Sequence, residues 1–327
     1  MAGADKLRPG GFCVSDSTTL GSVVPKSPSR RHPPPGEKAP KVAWPALSVT
    51  LGAFIAFVVA TLGVIGGWLP AWAAIAINST VVYLMFLPVH EATHHTLGRS
   101  SLLNAVVGRF AWAFIGPHFA WPCLRYAHME HHRNANDHEN DPDYFATSKP
   151  FWQLLFRGPL GDFYYARWYL ARLPERLRHS WRKPFIEFAE SAVLVALTVT
   201  GIVLAVITGH IWTLAVVLLI PQRIGLFFII LFFDWLPHYG LTETHRENPY
   251  RASRTRIGLE RLVTPLWMAQ NYHLMHHLHP GLPIHVLPRV WRRNEAGYLA
   301  CDPALSTLYG RDLTVDEYRQ LRPSHAS

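Results

Sequence analysis

Four stretches of the chain carry almost no charged side chain. Ala46–Leu69 and Ala71–Val89 are separated by little more than Pro70, and Ser191–Thr208 and Ile211–Trp235 by Gly209 and His210. Each is close to the roughly 20 residues a helix needs to cross a hydrocarbon core. The pattern predicts four transmembrane helices arranged as two hairpins. Leu102–Ile115 is also apolar but too short to span, which predicts a re-entrant or interfacial segment. The stretch FWQLLFRGPLGDFYYARWYLARLPERLRHSWRK (151–183) mixes aromatics with arginines, the composition of helices lying on an anionic lipid surface. Residues 1–43 are rich in Pro, Ser, Lys and Arg without apolar periodicity, and are expected to form a disordered tail. They contain no central apolar segment, so no cleavable signal peptide is expected.

Charge sharpens this picture. No lysine or arginine lies between Lys41 and Arg99 or between Lys183 and Arg223. Apart from Arg223, the basic residues fall in the tail, in 96–186 or after 236, so the positive-inside rule places both termini and the middle segment in the cytoplasm. The expected fold is an all-α integral membrane protein, with a cytoplasmic cap that carries histidine boxes and interfacial helices. Residues 1–43 would be a tail, 44–300 the membrane domain and 301–327 a C-terminal cytoplasmic tail. A net charge of +9 could suit nucleic acid, but apolar runs beside the basic segments favour a membrane and argue against nucleic acid. Cys13, Cys123 and Cys301 are too few and too dispersed for a disulfide framework. Arg223 either faces the bundle interior or snorkels to the outer interface.

The 19 histidines are the chemical signal, because many fall in tight clusters. His90 and His94, with His95 adjacent, end the second apolar run. HMEHH supplies His128, His131 and His132, and HLMHH supplies His273, His276 and His277. On a helix, positions i, i+3 and i+4 share a face, so each triplet can aim its imidazoles at one region. Such a set suits iron, zinc, copper or nickel alike. Eight imidazoles are too many for one ion and about right for two. In the predicted topology all three clusters reach one membrane face, where His238 of DWLPH adds a ninth nitrogen. His90–His94 also fits the His-Glu-x-x-His pattern of zinc proteases, but that reading leaves the other two clusters unexplained. Glu91, Asp234, His95 and Asp141 are expected behind the ligands, with Asp143, Glu130 and Glu139 as further candidates for charge balance. For His118, His138, His179, His210, His245, His279 and His285 a supporting, interfacial or surface role is expected, with His138 and His245 the foremost candidates for an exception.

These boxes, His-x-x-x-His followed by two His-x-x-His-His, resemble those of the membrane fatty acid desaturase superfamily over about residues 45–300. DWLPH (234–238), RASRTR (251–256) and NYHLMHHLHPGLP (271–283) look most like its bacterial β-carotene hydroxylase-type members. One departure is HYGL at 238–241, where such a member would carry a further histidine. The resemblance implies nine metal ligands: His90, His94, His128, His131, His132, His238, His273, His276 and His277. It further implies two iron ions, O2 as co-substrate, a lipid substrate drawn from the bilayer, and hydroxylation of a carotenoid-type molecule. Fatty-acyl desaturation is the alternative, and a membrane metal transporter or intramembrane protease a remote one. No electron-carrying domain is visible, so a separate ferredoxin- or cytochrome-type donor with its reductase is implied.

Overall fold

The computed structural model describes residues 32–116 and 118–322. Four of its helices are long and apolar enough to cross a membrane: α1 (Trp44–Ile65), α2 (Ala71–Thr93), α8 (Arg182–Ile207) and α9 (Ile211–His238). They coincide with the four apolar runs. Between them lie α3 (Ser101–Trp112), α4 (Trp121–Asn134), α5 (Tyr144–Thr147), α6 (Phe151–Arg157) and α7 (Gly161–His179). At about 1.5 Å per residue α3 is shorter than a bilayer core, as its sequence predicts.

Helix α2 is the axis of the bundle and packs on α1, α3 and α9. Close approach depends on missing side chains. A Cβ on Gly225 of α9 would lie 2.5 Å from Val82 Cβ of α2. One on Gly108 of α3 would lie 2.9 Å from Ala92 Cβ and 2.6 Å from Trp121. Such contacts forbid any larger residue without displacement of the helices. Helix α8 differs, burying only Pro184 and Glu187 and leaving its apolar length exposed. That surface is stable only in a non-aqueous surrounding.

Helix α9 is not uniform. Ala215–Leu219 and Ile230–Trp235 take wide π turns. The second adds an extra residue per turn just before His238, re-aiming Asp234 and His238 into the interior, where both are buried. Arg223 is partly buried and turns toward α7. Its guanidinium donates to Asp162 Oδ1 and Oδ2 (3.0 and 2.7 Å) and to the Pro159 carbonyl (2.8 Å). It therefore ties α9 to the start of α7 and does not snorkel.

Two expectations need correction. The protein is mostly but not wholly helical. Strand β1 (Arg254–Ile257) pairs in parallel with β2 (Ala304–Thr307), which pairs antiparallel with β3 (Asp312–Leu313). The segment 304–313 is therefore folded onto β1 and does not trail free. From β1, Arg254 donates to the Tyr239 carbonyl and Arg256 to that of Leu236, capping the C-terminal end of α9. The predicted disordered tail is ordered over its last dozen residues, residues 1–31 lying outside those described. Glu37 pairs with Arg289 and Arg293 (3.3 and 3.2 Å), and Ala43 N–H donates to the Leu97 carbonyl. Proline restricts this segment's unfolded states, so a few ion pairs suffice to order it.

Candidate metal centre

The imidazoles of all three boxes and of His238 meet. The C-terminal turn of α2 supplies His90 and His94, the second half of α4 supplies His128, His131 and His132, and the short helix His273–Leu278 supplies the third box. His90, His94, His128 and His276 each offer a nitrogen within 4.8 Å of the others, and so do His131, His238, His273 and His277. His132 joins the first group, its Nε2 lying 2.9 Å from His276 Nε2 and 3.2 Å from His128 Nε2. Within the groups, Nε2 atoms face each other across 2.9–3.3 Å, as in His94–His128, His90–His276, His277–His273 and His131–His277.

Several rings are held so that Nε2 faces inward. His238 Nδ1 donates to the Ala252 carbonyl at 2.8 Å, while its Nε2 is buried with no protein partner. His273 Nδ1 donates to Gln270 Oε1, one helical turn earlier. His131 Nδ1 lies 2.8 Å from Asp141 Oδ1 and 3.1 Å from Asp143 Oδ2. A second hydrogen bond of this kind sets the tautomer and orientation of a metal-binding imidazole. Burial first, then mutual repulsion, pushes His128, His132, His273, His276 and His277 well below the ordinary range, and burial takes His94 down to about 3. These rings are therefore neutral at pH 7, the form that binds metal. Burial also opposes a charge on His131, but Asp143 and Asp141 outweigh it and raise the ring to about 9. A cation replacing that proton would be equally welcome. Buried lone pairs aimed at one another, with an orphaned Nε2 among them, fit two cations.

The acidic residues divide by role. Asp141 braces His131 and also accepts from the backbone N–H of Asn136 (2.8 Å) and Asp143 (2.9 Å). Asp234 does not touch an imidazole directly. Tyr165 Oη lies 3.0 Å from Asp234 and 2.7 Å from Asp143, linking the two carboxylates. Glu91 turns away from the imidazoles, accepting from Thr96 Oγ1 and from the Ile284 backbone N–H (2.6 Å). It clamps α2 to the segment after the third box and is in no position to act as a protease base. His95 follows the end of α2 in a left-handed conformation (φ 59°) with its side chain exposed, so it does not back the cluster. Glu130 pairs with Arg133 on the outer face of α4. Tyr165 and Gln270 were not foreseen. Gln270 stands one helical turn before His273 and could have been noticed, whereas nothing local marks Tyr165.

A cavity of about 20 Å³ borders the first group, lined by Phe86, Val89, His90, Trp112, His128 and Leu226, among others. Tyr165 and Asp234 form its polar end. It has room for about one water-sized molecule, so a larger substrate enters only if side chains move.

Comparison with known proteins identifies related sequences. The fatty acid desaturase family model matches residues 66–307. A β-carotene ketolase of Paracoccus sp. (strain PC1) is 30% identical over 210 residues, 63% of this chain and 72% of the relative. An sn-1 oleoyl-lipid 12-desaturase of Picosynechococcus sp. is 24% identical over 290 residues, 80% of this chain and 79% of the relative.

Proposed function

The chain belongs to the fatty acid desaturase family, and on that premise we propose that it is an O2-dependent membrane oxidoreductase that oxygenates a carotenoid-type hydrocarbon. Members of the family use di-iron centres, act on lipids and typically draw electrons from a separate donor. In this reading His90, His94, His128, His132 and His276 hold one iron, and His131, His238, His273 and His277 the other. Bound iron supplies O2 activation and the power to break an unactivated C–H bond. The protein's own residues keep the imidazoles neutral and oriented, exclude water with Phe86, Val89 and Leu226, and hold the substrate beside His90 and His128. The balance is one C–H bond, one O2, two electrons and two protons giving one hydroxyl and one water. Repetition at the same carbon would give a ketone.

The convergence of nine imidazoles into two groups, the first opening on an apolar cavity, carries this reading. The accompanying topology has two hairpins, four spans, and cytoplasmic termini and site; the distribution of lysine and arginine supports it. Acyl-lipid desaturation is the second reading, favoured by the greater share of the chain that aligns with the 12-desaturase. Expression in a carotenoid-producing host with pigment and lipid analysis tests both. Oxygenated carotenoids are expected, whereas unchanged carotenoids beside new double bonds in membrane lipids would replace the first reading with the second.

A further inference from the structure

A second cleft lies outside the imidazole site, between α4 and the end of α7. It is about 430 Å³ and is lined by Tyr126 and Glu130 of α4 and by Arg172, Arg176, His179 and Lys183 from α7 to the start of α8, with Glu175 among them. Of the cations in 161–183, Arg172, Arg176 and Lys183 line the cleft, and Arg176 is paired with the buried Glu187 at 2.7 Å. Glu130 is neutralised by Arg133. Arg172 and Lys183, set against Glu175, leave the cleft with a net positive charge.

Its orientation separates it from the bilayer. Phe163, Leu170 and Leu177 are exposed at seven-residue intervals and form one apolar stripe along α7. At about 100° per residue, Arg172, Arg176 and His179 lie on the opposite side. With the apolar stripe in lipid, the basic side faces water.

The cleft is also next to the metal centre. On α4, Tyr126 and Glu130 share one face, being four residues apart, while His128, His131 and His132 occupy the other. A single helix, about 10–12 Å across, separates the floor of the cleft from the imidazoles. Cations and rings pack into this wall. Arg176 sits 3.7 Å from the centre of the Tyr126 ring, Arg172 sits 4.0 Å from that of Trp168, and the Tyr126 and Trp168 rings are 5.8 Å apart.

We propose that this cleft is the docking site of a soluble, acidic one-electron carrier protein, which reduces the metal centre through α4. The inference rests on the oxidoreductase reading above. Each docking event passes one electron from the reduced carrier to the centre, so two events serve one O2. Charge complementarity selects an acidic partner and raises its association rate. The geometry favours a protein over a lipid headgroup because Arg172, Arg176 and His179 oppose the apolar stripe, while Arg167 and Arg178, nearer the stripe, are the cations placed to meet lipid.

The test uses the full iron-loaded chain in neutral phosphatidylcholine discs, with an acidic plant-type [2Fe–2S] ferredoxin as probe and an acidic b-type cytochrome as a second. Binding of at least one should be measurable and should weaken several-fold as salt rises, since screening at 0.15 M acts over about 8 Å. Arg172→Glu with Lys183→Glu should weaken it by roughly 10-fold or more and Lys183→Glu alone by about 3-fold, whereas Arg292→Glu elsewhere on the cap should leave it unchanged. Arg172 also donates to the Glu139 carbonyl, so the Lys183 variant serves as the structurally milder one. Unaltered affinity in both variants, no salt-dependent binding of either probe, or loss of binding only to phosphatidylserine vesicles would overturn the proposal. Iron content and dithionite-driven turnover of the unmutated chain judge the oxidoreductase reading separately.

Discussion

The two imidazole groups are built from the same residue type on overlapping elements, yet they are held differently. In the second, His131 leans on two aspartates, His273 on Gln270 and His238 on a backbone carbonyl. In the first, Nδ1 of His90, of His132 and of His276 is buried without a protein partner, against that of His277 alone in the second. The first group borders the apolar cavity. The second is backed by Asp141 and Asp143. Bracing restricts ring rotation and raises donor strength. The contrast teaches that one half of the centre is more firmly fastened, while the other, on the cavity side, relies more on packing for its orientation.

The largest effect expected is from removing a ring from either half. His276→Ala and His277→Ala should each lower turnover by more than about 100-fold, since even partners behind metal ligands are worth 10–100-fold. Iron analysis should show loss of about one ion in each case. Retention of both ions and of turnover in His276→Ala would end the two-group assignment. Asp141→Asn, which acts only on the braced half, should weaken iron binding by about 10-fold or more, measured by chelator competition. Filling the cavity with Leu226→Phe acts only on the open half. It should reduce kcat/KM by about 10-fold with iron content unchanged, within the cost expected of overpacking.

A smaller contrast concerns pH. His131 in the metal-free protein is raised to about 9 from an ordinary 6.5, so the folded state binds the extra proton. That contribution is complete below 6.5 and is lost as pH rises through 9. Iron-stripped protein should therefore melt at a lower temperature at pH 9.5 than at pH 6.5, and Asp141→Asn should flatten the difference. The smallest effect is expected from His95→Ala, which should change turnover and iron content by less than about 2-fold, as for surface substitutions generally.

Much of this architecture was legible beforehand. Four apolar runs announced the four long helices because a span needs a fixed length of uninterrupted apolar residues, a condition visible in a window of 20. His-x-x-His-His announced a shared helix face because helical periodicity is local. That His90 and His94 share a helix face was in this sense readable. Illegible features depend on partners remote in the chain. Glu91 looked like part of the centre, yet it is turned toward Ile284, 193 residues away. Tyr165 comes between Asp143 and Asp234 only because α7 folds back beneath α9. The strands of 304–307 and 312–313 are too short to carry a pattern, and they exist because the first pairs with β1 and the second with the first.

Residue order was enough to establish the four helices long and apolar enough to span, the inventory of imidazoles and which of them share a turn, since hydropathy and helix period act over neighbouring residues. Folding assigned each imidazole to one of two groups, sent Arg223 inward to Asp162, and set a basic cleft one helix away from the centre. Those outcomes come from packing and electrostatics between segments more than 60 residues apart, such as Asp162 and Arg223, whose proximity no local pattern encodes.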